Sequence, residues 1–168
     1  MKRLLLLSSL GLFLFALPSR AQSSADASIG YSYFHLGGGL DLDQNGISGS
    51  VAYKPIPFLG IVGDFGGYHG SPGGVSVNTY TFMFGPRIIM RNPSKVTPFV
   101  QFLAGAGHVT FGDGGGSNTN FAYSFGGGVD VGVLPHLAIR PQLDYVGLHN
   151  SGGSANCARV SISAVVRF

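Results

Sequence analysis

From about Asp26 to Phe168, apolar and polar residues alternate along the chain with a period of two. Side chains on a strand point to opposite faces in turn, so the pattern predicts strands with two unlike faces. Eight such segments are expected, at 26–37, 45–54, 58–68, 75–90, 96–111, 119–133, 136–148 and 156–168. In the first, Ile29, Tyr31 and Tyr33 oppose Ser28, Gly30 and Ser32. In the fourth, Tyr80, Phe82 and Phe84 oppose Thr79, Thr81, Gly85 and Arg87. In the last, Val160, Ile162, Ala164, Val166 and Phe168 oppose Arg159, Ser161, Ser163, Val165 and Arg167. The third and fifth are mixed: Asp64 and Gln101 point to an inward face that Phe58, Val62, Phe99 and Leu103 share. Glycine and β-favouring residues are spread too evenly for a long helix.

The composition of the two faces decides the architecture. A soluble sandwich would bury the large apolar face and carry many Lys and Glu outside. Here the polar faces hold mainly Gly, Ser and Thr with a few charges, and the apolar faces carry large aromatics. That inversion fits a closed barrel with a narrow lumen filled by small side chains and an exterior set in lipid. The expected fold is an all-β, eight-stranded antiparallel up-and-down transmembrane barrel. Short turns at Lys54–Pro57, Arg91–Ser94 and Leu134–Pro135 alternate with loops read at Gly38–Gln44, His69–Gly74, Gly112–Ser117 and Asn150–Ala155. Both termini fall at the short-turn end.

The first 21 residues read differently. A basic start at Lys2-Arg3, an apolar run from Leu4 to Leu17 and Ser19-Arg20-Ala21 form an export signal with a small-residue cleavage site. The barrel is expected to occupy 22–168. The formal charge of +3 belongs to the precursor. Beyond residue 21, seven Lys and Arg face seven Asp, and the chain has no Glu, so nothing favours nucleic acid. Cys157 is the single cysteine, which excludes a disulfide framework. No apolar run after the signal is long enough for a spanning helix.

Charges assigned to inward faces are the main chemical feature: Asp64, Asp130 and Asp144 with Arg87, Arg140, Arg159 and Arg167. A charge inside so narrow a barrel must be paired or hydrogen-bonded. The group therefore reads as a structural network filling the lumen, with a narrow pore or small-solute binder as the alternative. Asp41-Leu42-Asp43-Gln44-Asn45-Gly46 copies half of an EF-hand loop, but Ala52 stands where the bidentate Glu belongs. Gly114–Gly116 and Gly126–Gly128 are not phosphate loops, since neither opens a helix after a strand. Glycines 126–128 are expected to relieve crowding within a strand. No metal, cofactor or catalytic residue is expected.

Thr97-Pro98-Phe99-Val100 leading to Gly105-Ala106-Gly107, Tyr80 to Arg87, Phe125 to Asp130 running through Leu137–Arg140 to Tyr145, and the terminal Val166-Arg167-Phe168 add a family resemblance. With the export signal, they make the chain resemble the outer-membrane β-barrel domain family of small bacterial barrels. The resemblance implies location in the cell outer membrane and contact with its lipid. It also implies insertion by the barrel assembly machinery, which reads a last strand ending in Phe; Val166 and Phe168 would form that signal. A monomeric, non-enzymatic structural or surface-interaction protein is expected. Some small barrels are lipid A-modifying hydrolases with a His and a Ser two residues apart and a carboxylate. His69-Gly70-Ser71 and His149-Asn150-Ser151 have that spacing, but the expected Glu is missing.

Overall fold

A computed structural model of the chain describes residues 25–37, 42–71, 76–90, 95–112, 116–150 and 153–168. The export signal expected at 1–21, Asp41, the Arg91–Ser94 turn and Ser151 lie outside the described residues. Eight strands follow one another: β1 Ala25–Leu36, β2 Leu42–Ile56, β3 Leu59–Gly70, β4 Val77–Ile89, β5 Val96–Phe111, β6 Ser117–Leu134, β7 Leu137–Asn150 and β8 Gly153–Arg167. Each pairs antiparallel with its neighbour in sequence, and β1 pairs with β8 to close the barrel. The backbone N–H of Phe168 donates to the Ala25 carbonyl at 2.9 Å, so the seam is bonded to its end.

The register sets the shape. Hydrogen-bonded partners can be traced from Ala27 through Val51, Gly63, Phe84, Ala104, Tyr123, Gly147 and Asn156. The trace returns to β1 at Gly37, whose N–H donates to Asn156. It has climbed ten residues, from Ala27 to Gly37, over eight strands. That stagger tilts the strands and leaves an interior wide enough only for side chains.

The outward faces are those the alternation indicates. Phe82 and Phe84 are each 64% exposed and Phe125 60%, while Ser32, Thr79 and Ser124 are buried. Water would not tolerate an unbroken apolar surface of this extent on a monomer, whereas hydrocarbon matches it. Tyr31, Tyr33, Tyr80 and Tyr145 form an aromatic girdle on the outside towards the end opposite the termini.

Three expectations need correction. Phe58 is not an inward residue; it stands in the tight Pro57–Phe58 turn and is 60% exposed. The loops at the end away from the termini are shorter than read, because β2, β3, β6, β7 and β8 run on into them. Cross-strand pairing there satisfies backbone groups that a loop would leave to solvent. Finally, the lumen is not filled by small side chains. Phe34, Tyr68, Met83, Leu103 and three arginines are all buried inside it. Glycine makes the space: a Cβ on Gly126 would lie 2.3 Å from Asp144 Oδ1, and one on Gly128 would lie 2.9 Å from Phe99 Cζ.

The lipid-matched exterior gives a direct prediction. Phe102 points outward near mid-height of the apolar band. Phe102→Arg should cost about 2–4 kcal/mol in urea unfolding from lipid vesicles. A neutral or stabilising effect would mean that this face meets water.

Candidate functional site

The lumen has two halves of unlike chemistry, stacked along the barrel axis. The half nearer the termini is ionic. Arg159 on β8 and Asp144 on β7 are direct register partners, and Arg159 Nη2 donates to Asp144 Oδ2 at 2.8 Å. Across the barrel, Arg159 Nη1 donates to Asp64 Oδ1 on β3 at 2.6 Å and to the Tyr68 hydroxyl at 3.3 Å. Asp144 also accepts from Gln142 at 2.7 Å and from Gln101 at 3.3 Å. Arg159 is 1% exposed, so a single guanidinium, held by two carboxylates, ties β3, β7 and β8 together.

A second cluster lies closer to the termini. Arg140 donates to both oxygens of Asp130, at 2.5 and 3.0 Å, and to Asp26 at 3.1 Å. Lys54 Nζ is 2.7 Å from Asp26, and Arg167 at the mouth is 3.4 Å from Asp130. Arg87 links the clusters. Its Nε and Nη2 donate to Gln101 Oε1 at 3.0 and 2.8 Å, and its nearest carboxylate, Asp26, is 3.8 Å away. The Phe99 ring meets both Arg87 and Arg140, whose guanidinium carbons are 4.4 and 5.0 Å from its centroid. Two cations on one ring draw on its quadrupole, which matters most where water is excluded.

Of the residues singled out from sequence, Asp64, Asp144 and Arg159 form the first cluster, and Asp130, Arg140 and Arg167 belong to the second, with Arg87 between them. Sequence reasoning missed Asp26, Lys54, Phe99 and Gln101 as members. Asp26 opens the first strand and was not paired with anything by pattern alone. Its position opposite Arg167 in the β1–β8 ladder is the signal that barrel closure would have provided. Among the described residues four lumen carboxylates face five cations.

The other half of the lumen is apolar. Phe34 stacks on Tyr68 with ring centroids 4.6 Å apart and an interplanar angle of 20°. Leu36, Leu42, Val109, Leu148 and Cys157 pack around this pair. Gln44 lies among them and donates to the Val77 carbonyl at 3.2 Å. Cys157, free and buried among them, serves as a small packing residue.

The remaining motifs resolve into strand chemistry. The EF-hand-like stretch runs through β2 from Leu42, with Gln44 turned inward and Asp43 outward. A strand alternates its side chains and cannot converge them on one cation, so the calcium resemblance fails. Among the described residues there is no group of three His, Cys or Asp able to hold a metal. His69 lies in β3 and bonds Asn78 at 2.8 Å through Nδ1, while Ser71 Oγ is 3.4 Å from its Nε2. The orienting group is thus an amide, at a site fully open on the outer wall.

No family model matches the chain, and no curated protein is significantly similar to it in sequence. Solved structures do resemble it. Neisserial surface protein A superposes with a TM-score of 0.76 at 16% identity, covering 87% of this chain and 98% of that one. Ail, the attachment invasion locus protein of Yersinia pestis, gives 0.65 at 19% identity, over 86% and 97% of the two chains. The N-terminal barrel domain of Pseudomonas aeruginosa OprF gives 0.55 at 16%, over 85% and 98%. The chain therefore has the fold of the small eight-stranded outer-membrane barrels.

The ion pairs make a test of the lumen possible. Asp144→Ala removes the acceptor of Arg159, Gln101 and Gln142 at once and should cost about 3–5 kcal/mol in vesicle unfolding. Replacing Asp64, Asp144 and Arg159 together by Leu, Leu and Met should cost less than the single change. A single substitution that is harmless would show that the buried guanidinium does not depend on Asp144.

Proposed function

We propose that this chain is a non-enzymatic, non-conducting barrel of the outer membrane, with a structural or surface-interaction role. The observation that carries the reading is the filling of the lumen. A pore needs a continuous polar path wide enough for water. Here the Phe34–Tyr68 stack and its apolar neighbours stand in series with ion pairs that already satisfy one another. Moving an ion through would require desolvating it twice, once past each half.

The partners of such a protein are the surrounding lipid and the assembly machinery that inserts it. Val166 on β8, the strand that completes closure, and Phe168 just after it are exposed, and Val166 lies opposite Leu137 on β7 and Ala27 on β1. An outward aromatic at this seam suits a signal read before the barrel closes. The barrel is proposed to stand as a monomer, since lipid covers the apolar band without a second copy. Among the described residues the group that orients His69 is the Asn78 amide and not a carboxylate, which supports the non-enzymatic assignment.

Planar bilayers containing the folded protein, verified by a heat-dependent shift in gel mobility, should show no conductance steps above baseline. Stepwise ionic current would overturn the closed-lumen reading. Deleting Phe168 should lower the inserted fraction in cells severalfold while leaving refolding in detergent nearly unchanged. Lipid A from expressing cells should have unaltered mass; a mass change abolished by His69→Ala would replace this reading with an enzymatic one.

A further inference from the structure

Four of the five histidines occupy equivalent places: His35 on β1, His69 on β3, His108 on β5 and His149 on β7. Each lies near the end of a strand that runs away from the termini, and each is on the outward-facing parity of its strand. Their heights follow from the register. Carried across the ladders to β1, His69 aligns with Tyr33, His108 with Tyr31 and His149 with Ile29. That is a descent of two residues for every second strand. The ladder itself climbs about two and a half residues over the same interval. The two slopes nearly cancel, so the four imidazoles lie within roughly 5 Å of one level along the strand direction. They form a ring, one to every second strand, just beyond the girdle of Tyr31, Tyr33, Tyr80 and Tyr145.

The register gives each histidine its cross-strand partners. His35 bonds Asp43 at 2.7 Å, with Ala158 on its other side. His69 bonds Asn78 and has Asn45 opposite on β2. His108 bonds Thr119 at 2.8 Å and has Tyr80 opposite on β4. His149 lies opposite Phe121 on β6 and Ser154 on β8. Asp43 is the one acid among these register partners. Bonds made through Nδ1 to Asp43, Asn78 and Thr119 orient three of the rings and direct the other nitrogen elsewhere.

We infer that this ring binds the phosphate groups of anionic lipid headgroups, in the leaflet on the side opposite the termini, when its histidines are protonated. The inference rests on the membrane reading above. Polar rings beyond an aromatic girdle sit where headgroups sit. Histidine is the side chain that can change its charge within the physiological pH range, and a protonated imidazole is a cation. A cation at a lipid surface attracts anionic headgroups at short range. At His35 the new charge completes a pair with Asp43; His69 and His108 lie opposite amide, hydroxyl and ring side chains in the ladders. The spacing on alternate strands also explains the His69–Asn78 pair without a catalytic role, because the same cross-strand arrangement recurs at His35 and His108.

The test uses the signal-free chain folded in phosphatidylcholine vesicles, with spin-labelled phosphatidylglycerol or phosphatidylcholine as probe. The protein-bound fraction of each probe gives the anionic-over-zwitterionic preference. It should rise about fivefold or more between pH 8 and pH 5.5. The quadruple variant His35→Gln, His69→Gln, His108→Gln, His149→Gln should show a flat profile, and His136→Gln, in the turn at the other end, should keep the rise. Heat-dependent gel mobility confirms that each variant is a folded barrel. A barrel that inserts but shows no pH-dependent preference, or a rise retained in the quadruple variant, overturns the ring. Inorganic phosphate that abolishes the rise at equal charge concentration would likewise overturn a lipid site in favour of a free anion. A chain that never inserts would instead refute the membrane reading beneath it.

Discussion

A backbone in hydrocarbon has no water to bond, so every amide and carbonyl must find its partner in the protein. In this chain the closure of β1 against β8 meets that demand, and the other features follow from it. An open sheet of the same strands would leave two unpaired edges in lipid. Closure over eight strands with a stagger of ten residues then confines the interior to side chains. The inside becomes the polar place and the outside the apolar one, because only the outside meets hydrocarbon.

The confined interior imposes a second demand. A guanidinium such as that of Arg159 cannot reach water, so it needs carboxylates from strands remote in sequence. Asp64 and Arg159 are far apart along the chain, yet their ion pair spans the lumen at 2.6 Å. Buried pairs of this kind contribute little net stability over apolar packing but penalise any arrangement that separates them. They therefore select one register among the many that a flat, glycine-rich strand would permit. The glycines of β6 serve the same end, since Gly126 and Gly128 leave room for Asp144 and Phe99.

The division of the lumen into an ionic and an apolar half connects fold to function. Either half alone would leave an easier path for water or ions. In series they fill the lumen with packed side chains and ion pairs, and the outer wall and its rims are the surfaces left exposed. The histidine ring lies on one such rim, placed there by the same stagger that shapes the lumen.

Much of this was legible from residue order. Period-two alternation located eight strands and correctly turned Tyr80, Phe82 and Phe84 outward and Arg140, Gln142 and Asp144 inward, because a pleated strand has no other way to place neighbours. Adjacent strands seven and eight also brought Asp144 towards Arg159 before any register was known. Alternation is a local rule, however, and cannot say what lies across a closed barrel. Asp26 joined the network through Arg140 and Arg87 on other strands, and Lys54 joined it through Asp26. Phe99 and Leu103 were read on an inward face, but the room for them was hidden, since the space for Phe99 comes from Gly128 on the neighbouring strand. The level of the four histidines depends on the sum of eight registers, a quantity that exists only once the sheet has closed. Residue order fixes which face of each strand is apolar, because alternation is local; which faces meet follows from closure in three dimensions, because closure sets the register.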